Sequence, residues 1–99
     1  MNSAQLEMTD DGRLLLTGEL SMNTVPELLK QGFLQSERER EIRVDLQGVK
    51  RADSAGVALL IEWQRDASRQ QRSISFQNIP SQMLAIARLS GVDELLSLS

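Results

Sequence analysis

The strongest constraint on this chain is a strand pattern that gives way to a helix pattern at a four-residue junction. Ile42, Val44 and Leu46 alternate with Arg43, Asp45 and Gln47, as one buried and one polar face of a strand require. Gly48 and Val49 then lead through a short loop to Asp53-Ser54-Ala55-Gly56. From Ala55 to about Gln70 no proline intervenes, and Val57, Leu60, Ile61, Gln64 and Ala67 fall on one helical stripe. A change of period from two to 3.6 in so few residues fits a strand-to-helix unit of an α/β fold.

The rest of the chain repeats that alternation. Leu6 to Thr9, the turn residues Asp10-Asp11-Gly12 and the run Arg13 to Leu20 read as an opening hairpin. Thr24-Val25-Pro26-Glu27 has the spacing of a capping box and predicts a helix carrying Val25, Leu28, Leu29, Gly32 and Phe33, which dissolves into the charged run 37–41. Ile74 and Phe76 mark a last strand within Ser73 to Gln77, and Ser81 is placed to cap a third helix that Gly91 ends. Leu95, Leu96 and Leu98 predict that the tail still packs. The expected order is β-β-α-β-α-β-α, a mixed sheet covered by helices within one domain spanning residues 1–99.

Composition removes several function classes. With no Cys and no His, this chain cannot by itself build thiol nucleophiles, imidazole triads or the usual zinc sites. No Gly-rich phosphate loop or dinucleotide fingerprint is present, so neither enzyme chemistry nor a bound metal or cofactor is expected. The 11 basic residues are scattered and outnumbered by 14 acidic ones, which argues against nucleic acid as a partner. The sequence has no apolar run long enough to span a bilayer and no secretory leader pattern, so direct membrane insertion is not expected and a cytoplasmic protein is.

The junction then holds the interest. Its place at a helix start sets the Ser54 hydroxyl among amides that have no intrahelical partner. On the purely structural reading, Asp53 or Ser54 caps the helix and Gly56 permits close backbone packing. On the functional reading, Ser54 is a contact or a modification site. Leu59 and Trp63 lie four residues apart, and if the stripe above faces the sheet they share a different face beside the junction. Together they would then form an apolar anchor for a partner; the alternative is that the stripe is broad and Trp63 covers the core edge.

The whole arrangement resembles the STAS family, through the hairpin ending in Gly18-Glu19-Leu20, the strand Ile42 to Leu46, and the run Asp53-Ser54-Ala55-Gly56-Val57-Ala58-Leu59-Leu60. In the anti-sigma factor antagonists of that family the residue matching Ser54 is phosphorylated by a partner kinase. Those antagonists read Asp-Ser-Ser/Thr-Gly-Leu-Gly, whereas this chain has Ala55, Gly56, Val57 and Ala58 after Ser54. It is more similar to the MlaB-type STAS subunits of Mla phospholipid-trafficking ABC transporters, which combine a hydroxyl residue in the loop with a Leu-rich second helix and an Ala-x-Leu pattern like Ala87-Arg88-Leu89.

That resemblance implies a non-catalytic accessory subunit, bound to an MlaF-like ABC transporter ATPase at the cytosolic face of the bacterial inner membrane. The assembly, which also contains permease and lipid-binding subunits, maintains outer-membrane lipid asymmetry. The partner interface expected from the residues and the resemblance together comprises Asp53, Ser54, Ala55, Gly56, Leu59 and Trp63. The alternative is an anti-sigma factor antagonist switched by phosphorylation of Ser54, where a phosphate would add nearly two charges.

Overall fold

The computed structural model describes residues 3–31 and 41–96. Its elements run β1 (Ala4–Met8), β2 (Leu14–Leu20), α1 (Val25–Gln31), β3 (Glu41–Ala52), α2 (Ser54–Arg69), β4 (Ser73–Gln77) and α3 (Ser81–Leu89), with a 3₁₀ turn at Asp93–Leu95. This is the expected β-β-α-β-α-β-α order. Gly32, Phe33, Leu98 and residues 37–40 of the charged run lie outside the described residues.

The strands form one sheet in the order β1-β2-β3-β4. The hairpin β1–β2 is antiparallel, and β2–β3 and β3–β4 are parallel. Both crossovers step in the same direction along the sheet, so right-handed connections put their helices on one face. Accordingly α1 packs on α2 and α2 on α3. Leu14, Leu16, Leu20, Ile42, Val44, Leu46, Ile74 and Phe76 alternate into that face and join Leu59, Leu60, Trp63 and Met83 in a single core.

Four local expectations are corrected. The loop expected after Gly48 is strand: β3 continues to Ala52, with Gly48, Val49, Arg51 and Ala52 paired to Thr17, Gly18, Glu19 and Leu20. Two register shifts each insert one extra residue into β3, and this is why strict alternation fails there and the run reads as irregular. The Thr24 hydroxyl accepts from Ser21 N (2.9 Å) and donates to the Glu19 carbonyl (2.7 Å), so it ties the loop back to β2. Ser81 is the first helical residue of α3, which Pro80 precedes as N-cap without a side-chain cap bond. In the tail, Leu96 is buried and Leu95 is exposed.

The uncovered face carries one buried acid. Asp45 is 2% exposed; it accepts from Arg13 Nη1 (2.8 Å), Asn78 Nδ2 (3.0 Å) and the Gln47 amide (2.9 Å). It thereby joins the hairpin, the central strand and the end of β4, where Asn78 adopts a left-handed φ of 56°. The Arg13 side chain also pairs with Asp11. The Thr9 hydroxyl foremost, and the Arg13 charge, hold the Asp11 carboxyl below its usual pKa. Replacing Asp45 by alanine removes the acceptor of the Asn78 amide and the Gln47 backbone N–H and leaves Arg13 only its pairing with Asp11. We expect a loss of about 2–3 kcal/mol in a urea titration. Asp45→Asn, which keeps one acceptor oxygen for Gln47 N and Asn78 Nδ2 but loses the acceptor of Arg13, should lose less.

Candidate docking site at the start of helix α2

The carboxyl ends of β2 and β3 and the start of α2 meet around a cleft of about 180 Å³, lined by Glu19, Ser21, Asn23, Arg51, Asp53 and Gln82 together with Leu20 and Ala52. The end of a parallel sheet is where crossovers leave backbone and loops open to ligands. Asp53 N bonds to the Leu20 carbonyl (3.1 Å), so the ladder runs into the junction and fixes its position.

Asp53 is the N-cap, with extended backbone, and its Oδ1 accepts from Ala55 N at 2.8 Å. The Gly56 amide donates to the Asp53 carbonyl at 3.0 Å. Two first-turn amides are therefore already engaged, which leaves little of a free anion nest. Ser54, one residue on, is exposed, and its hydroxyl forms no side-chain hydrogen bond among the described residues. The two roles left open by the sequence are thus divided between neighbours. Asp53 caps, and Ser54 is presented.

Gly56 is buried because α2 crosses the sheet there at close range. A Cβ on it would sit 3.1 Å from Leu20 Cβ and 3.3 Å from both Ala52 Cβ and Met83 Cε. Alanine requires small adjustments, whereas Gly56→Val has no free direction and should destabilise by about 1–3 kcal/mol, read as a lower thermal midpoint. Ala55 is half-buried against the core.

The Leu59 and Trp63 expectation is corrected: both are 0% exposed and belong to the core. The buried residues of α2 are Gly56, Val57, Leu59, Leu60, Trp63 and Ala67, so Val57, Leu60 and Ala67 of the expected stripe are buried while Ile61 and Gln64 are only partly covered. The helix is rotated by roughly 60° from the stripe read off the sequence. Gly56 reads as a helix breaker in one dimension, but it is the contact point that turns Leu60, Trp63 and Ala67 onto the sheet. The spacing of four, three and four from Gly56 to Ala67 is the signal that identifies this row.

Around the cleft the β2–α1 loop is pinned by its own bonds, since Asn23 N donates to Ser21 Oγ (3.2 Å) and Val25 N to the Ser21 carbonyl (2.9 Å). Met22 projects from this loop and is 80% exposed. Arg51 Nε approaches Glu19 Oε1 at 3.6 Å, a weak pairing for an arginine so open to water. Ser21, Asn23 and Gln82 carry no strong sequence signal, because chain segments distant in sequence bring them together. The site offers two carboxylates (Glu19 and Asp53), the exposed Arg51 guanidinium, hydroxyl and amide side chains and the exposed Met22 thioether on a firm backbone, chemistry suited to a protein contact.

Among the described residues no helix is long and apolar enough to cross a membrane. Comparison with curated proteins gives no match. The family profile described as "Mlab, STAS domain" matches residues 4–97. An anti-sigma factor antagonist from Mycobacterium paratuberculosis superposes with a TM-score of 0.74 at 20% identity, covering 96% of this chain and 82% of that one. The anti-sigma factor antagonist SpoIIAA in its unphosphorylated form gives 0.69 at 19% identity, covering 97% and 87%. At these identities the two structures establish the fold, and with a profile that spans nearly the whole sequence, this chain belongs to the STAS domain family.

Proposed function

We propose that this STAS domain is a non-catalytic accessory subunit that docks on the ATPase of a phospholipid-transporting ABC complex through the start of α2. The observation that carries the reading is the exposed Ser54 hydroxyl, free of the capping work that Asp53 performs. The MlaB wording of the matched profile supports the transporter as its setting. Asp53, Ser54 and the exposed loop at Met22 form the contact; Ala55, Gly56, Leu59 and Trp63 shape it from beneath. In this reading the subunit is held at the cytosolic face of the bacterial inner membrane by its partner, within an assembly that maintains outer-membrane lipid asymmetry.

Affinity-tagged chain purified from native membranes should bring down an ABC ATPase with its permease and lipid-binding subunits. Recovery of the chain with no ATPase overturns the proposal. A second reading is favoured by the same hydroxyl and by the two antagonist folds: an anti-sigma factor antagonist switched at Ser54. It requires that incubation with an anti-sigma kinase and ATP add phosphate to Ser54 and release the complex. A chain that anti-sigma kinases leave unmodified removes that reading.

A further inference from the structure

β1 ends the sheet, so one of its edges has no strand beside it among the described residues. Two bonds at the ends of the hairpin define that edge. Thr9 N donates to the Arg13 carbonyl (2.7 Å), and Glu19 N donates to the Ser3 carbonyl (2.9 Å), so the odd-numbered residues of this segment turn their backbone groups toward β2. The N–H and C=O groups of Ala4, Leu6 and Met8 therefore point away from the sheet. Sheet edges are commonly blunted by Lys, Pro or a bulge. β1 has no Lys or Pro, and its pairing register with β2 is unbroken.

We infer that this edge is a self-association surface, and that a second copy of the chain pairs with it antiparallel about a two-fold axis at Leu6. In that register Leu6 faces the partner's Leu6, and Ala4 faces the partner's Met8. Because Ala4, Leu6 and Met8 are the outward-facing residues, each of these pairs exchanges two backbone hydrogen bonds and no outward group is left over. The side chains agree with the backbone. Met8, 40% exposed in one copy, gains the partner's Ala4 as a neighbour at the margin of the core. On the uncovered face, Gln5 falls directly opposite the partner's Glu7, an amide against a carboxylate, and the two copies of Glu7 are kept apart. The pairing is isologous, so it closes at two copies and joins two four-stranded sheets into one of eight strands.

The register makes a signed prediction at Gln5. Gln5 is exposed, so substitutions there leave the fold intact. Gln5→Lys sets two cross-strand ion pairs against Glu7 and should tighten the dimer roughly three- to tenfold at low salt; Gln5→Glu sets two carboxylate pairs face to face and should weaken it by a similar factor. Sedimentation equilibrium of the full chain and both variants reads these shifts, with circular dichroism confirming unchanged folding. Hydrogen exchange at the Leu6 and Met8 amides should slow as the dimer fills. A chain monomeric up to about 1 mM overturns the inference. So does assembly beyond two copies, which would mean that β1 pairs with the opposite edge, or a shift in the same direction for both variants.

Discussion

Replacing Trp63 by alanine should lower the unfolding free energy by about 3–5 kcal/mol, a large part of the stability a domain of this size holds. The ring is 0% exposed in the row of α2 that faces the sheet, with Leu59 and Leu60 in the same core. Truncation removes its apolar area from the interior and leaves a void that the neighbouring helices cannot close without losing their own contacts. Denaturant titration is the direct measurement, and the midpoint should fall while the slope stays nearly constant. Partner capture should weaken only in proportion to the unfolded fraction. A variant that kept its stability yet lost its partner would return Trp63 to the interface and contradict its burial.

Ser54→Glu should do the opposite, sparing the fold and weakening docking. A carboxylate in the first turn of α2 is favourably placed toward the helix dipole, and Asp53 still supplies the cap. Thermal stability should therefore hold or rise slightly. At the contact, however, the charge has to be desolvated against a surface built for a hydroxyl, which should weaken capture of the ATPase by about a hundredfold or more. Ser54→Ala, which adds no charge, should cost far less. The measurement is a binding titration of wild type and both variants at one salt concentration. Equal affinity for Ser54→Glu and wild type would place the contact elsewhere on the domain. Asp53→Ala, which loses the cap, should by itself reduce the stability of the isolated domain by about 1 kcal/mol.

These two residues also show how much could be read in advance. The element order, the hairpin and the position of the junction were legible because each rests on local rules: alternation in Ile42 to Leu46, turn chemistry at Asp10-Asp11-Gly12 and helical recurrence after Ala55. Ser54 was legible as a residue at a helix start, but the sequence left open whether it or Asp53 was the cap. The choice rests on a 2.8 Å bond that depends on Asp53 continuing the β3 ladder to Leu20 before the chain turns.

Other features belonged to no single segment. The extension of β3 to Ala52 depends on two inserted residues matched against β2, and a bulge erases the period that would announce a strand. The burial of Asp45 depends on Arg13 and Asn78 arriving from opposite sides, when the residue alone reads as an outward-facing charge. By itself the sequence determined the alternating elements of a STAS-type fold and the place of Ser54 at the head of its second helix, because periodicity and turn chemistry act over a few residues. Tertiary structure decided that Leu59 and Trp63, rather than Ile61 and Gln64, complete the buried face of that helix. The close approach at Gly56 rotates α2 until Leu59 and Trp63 are enclosed, leaving Ser54 exposed above the cleft.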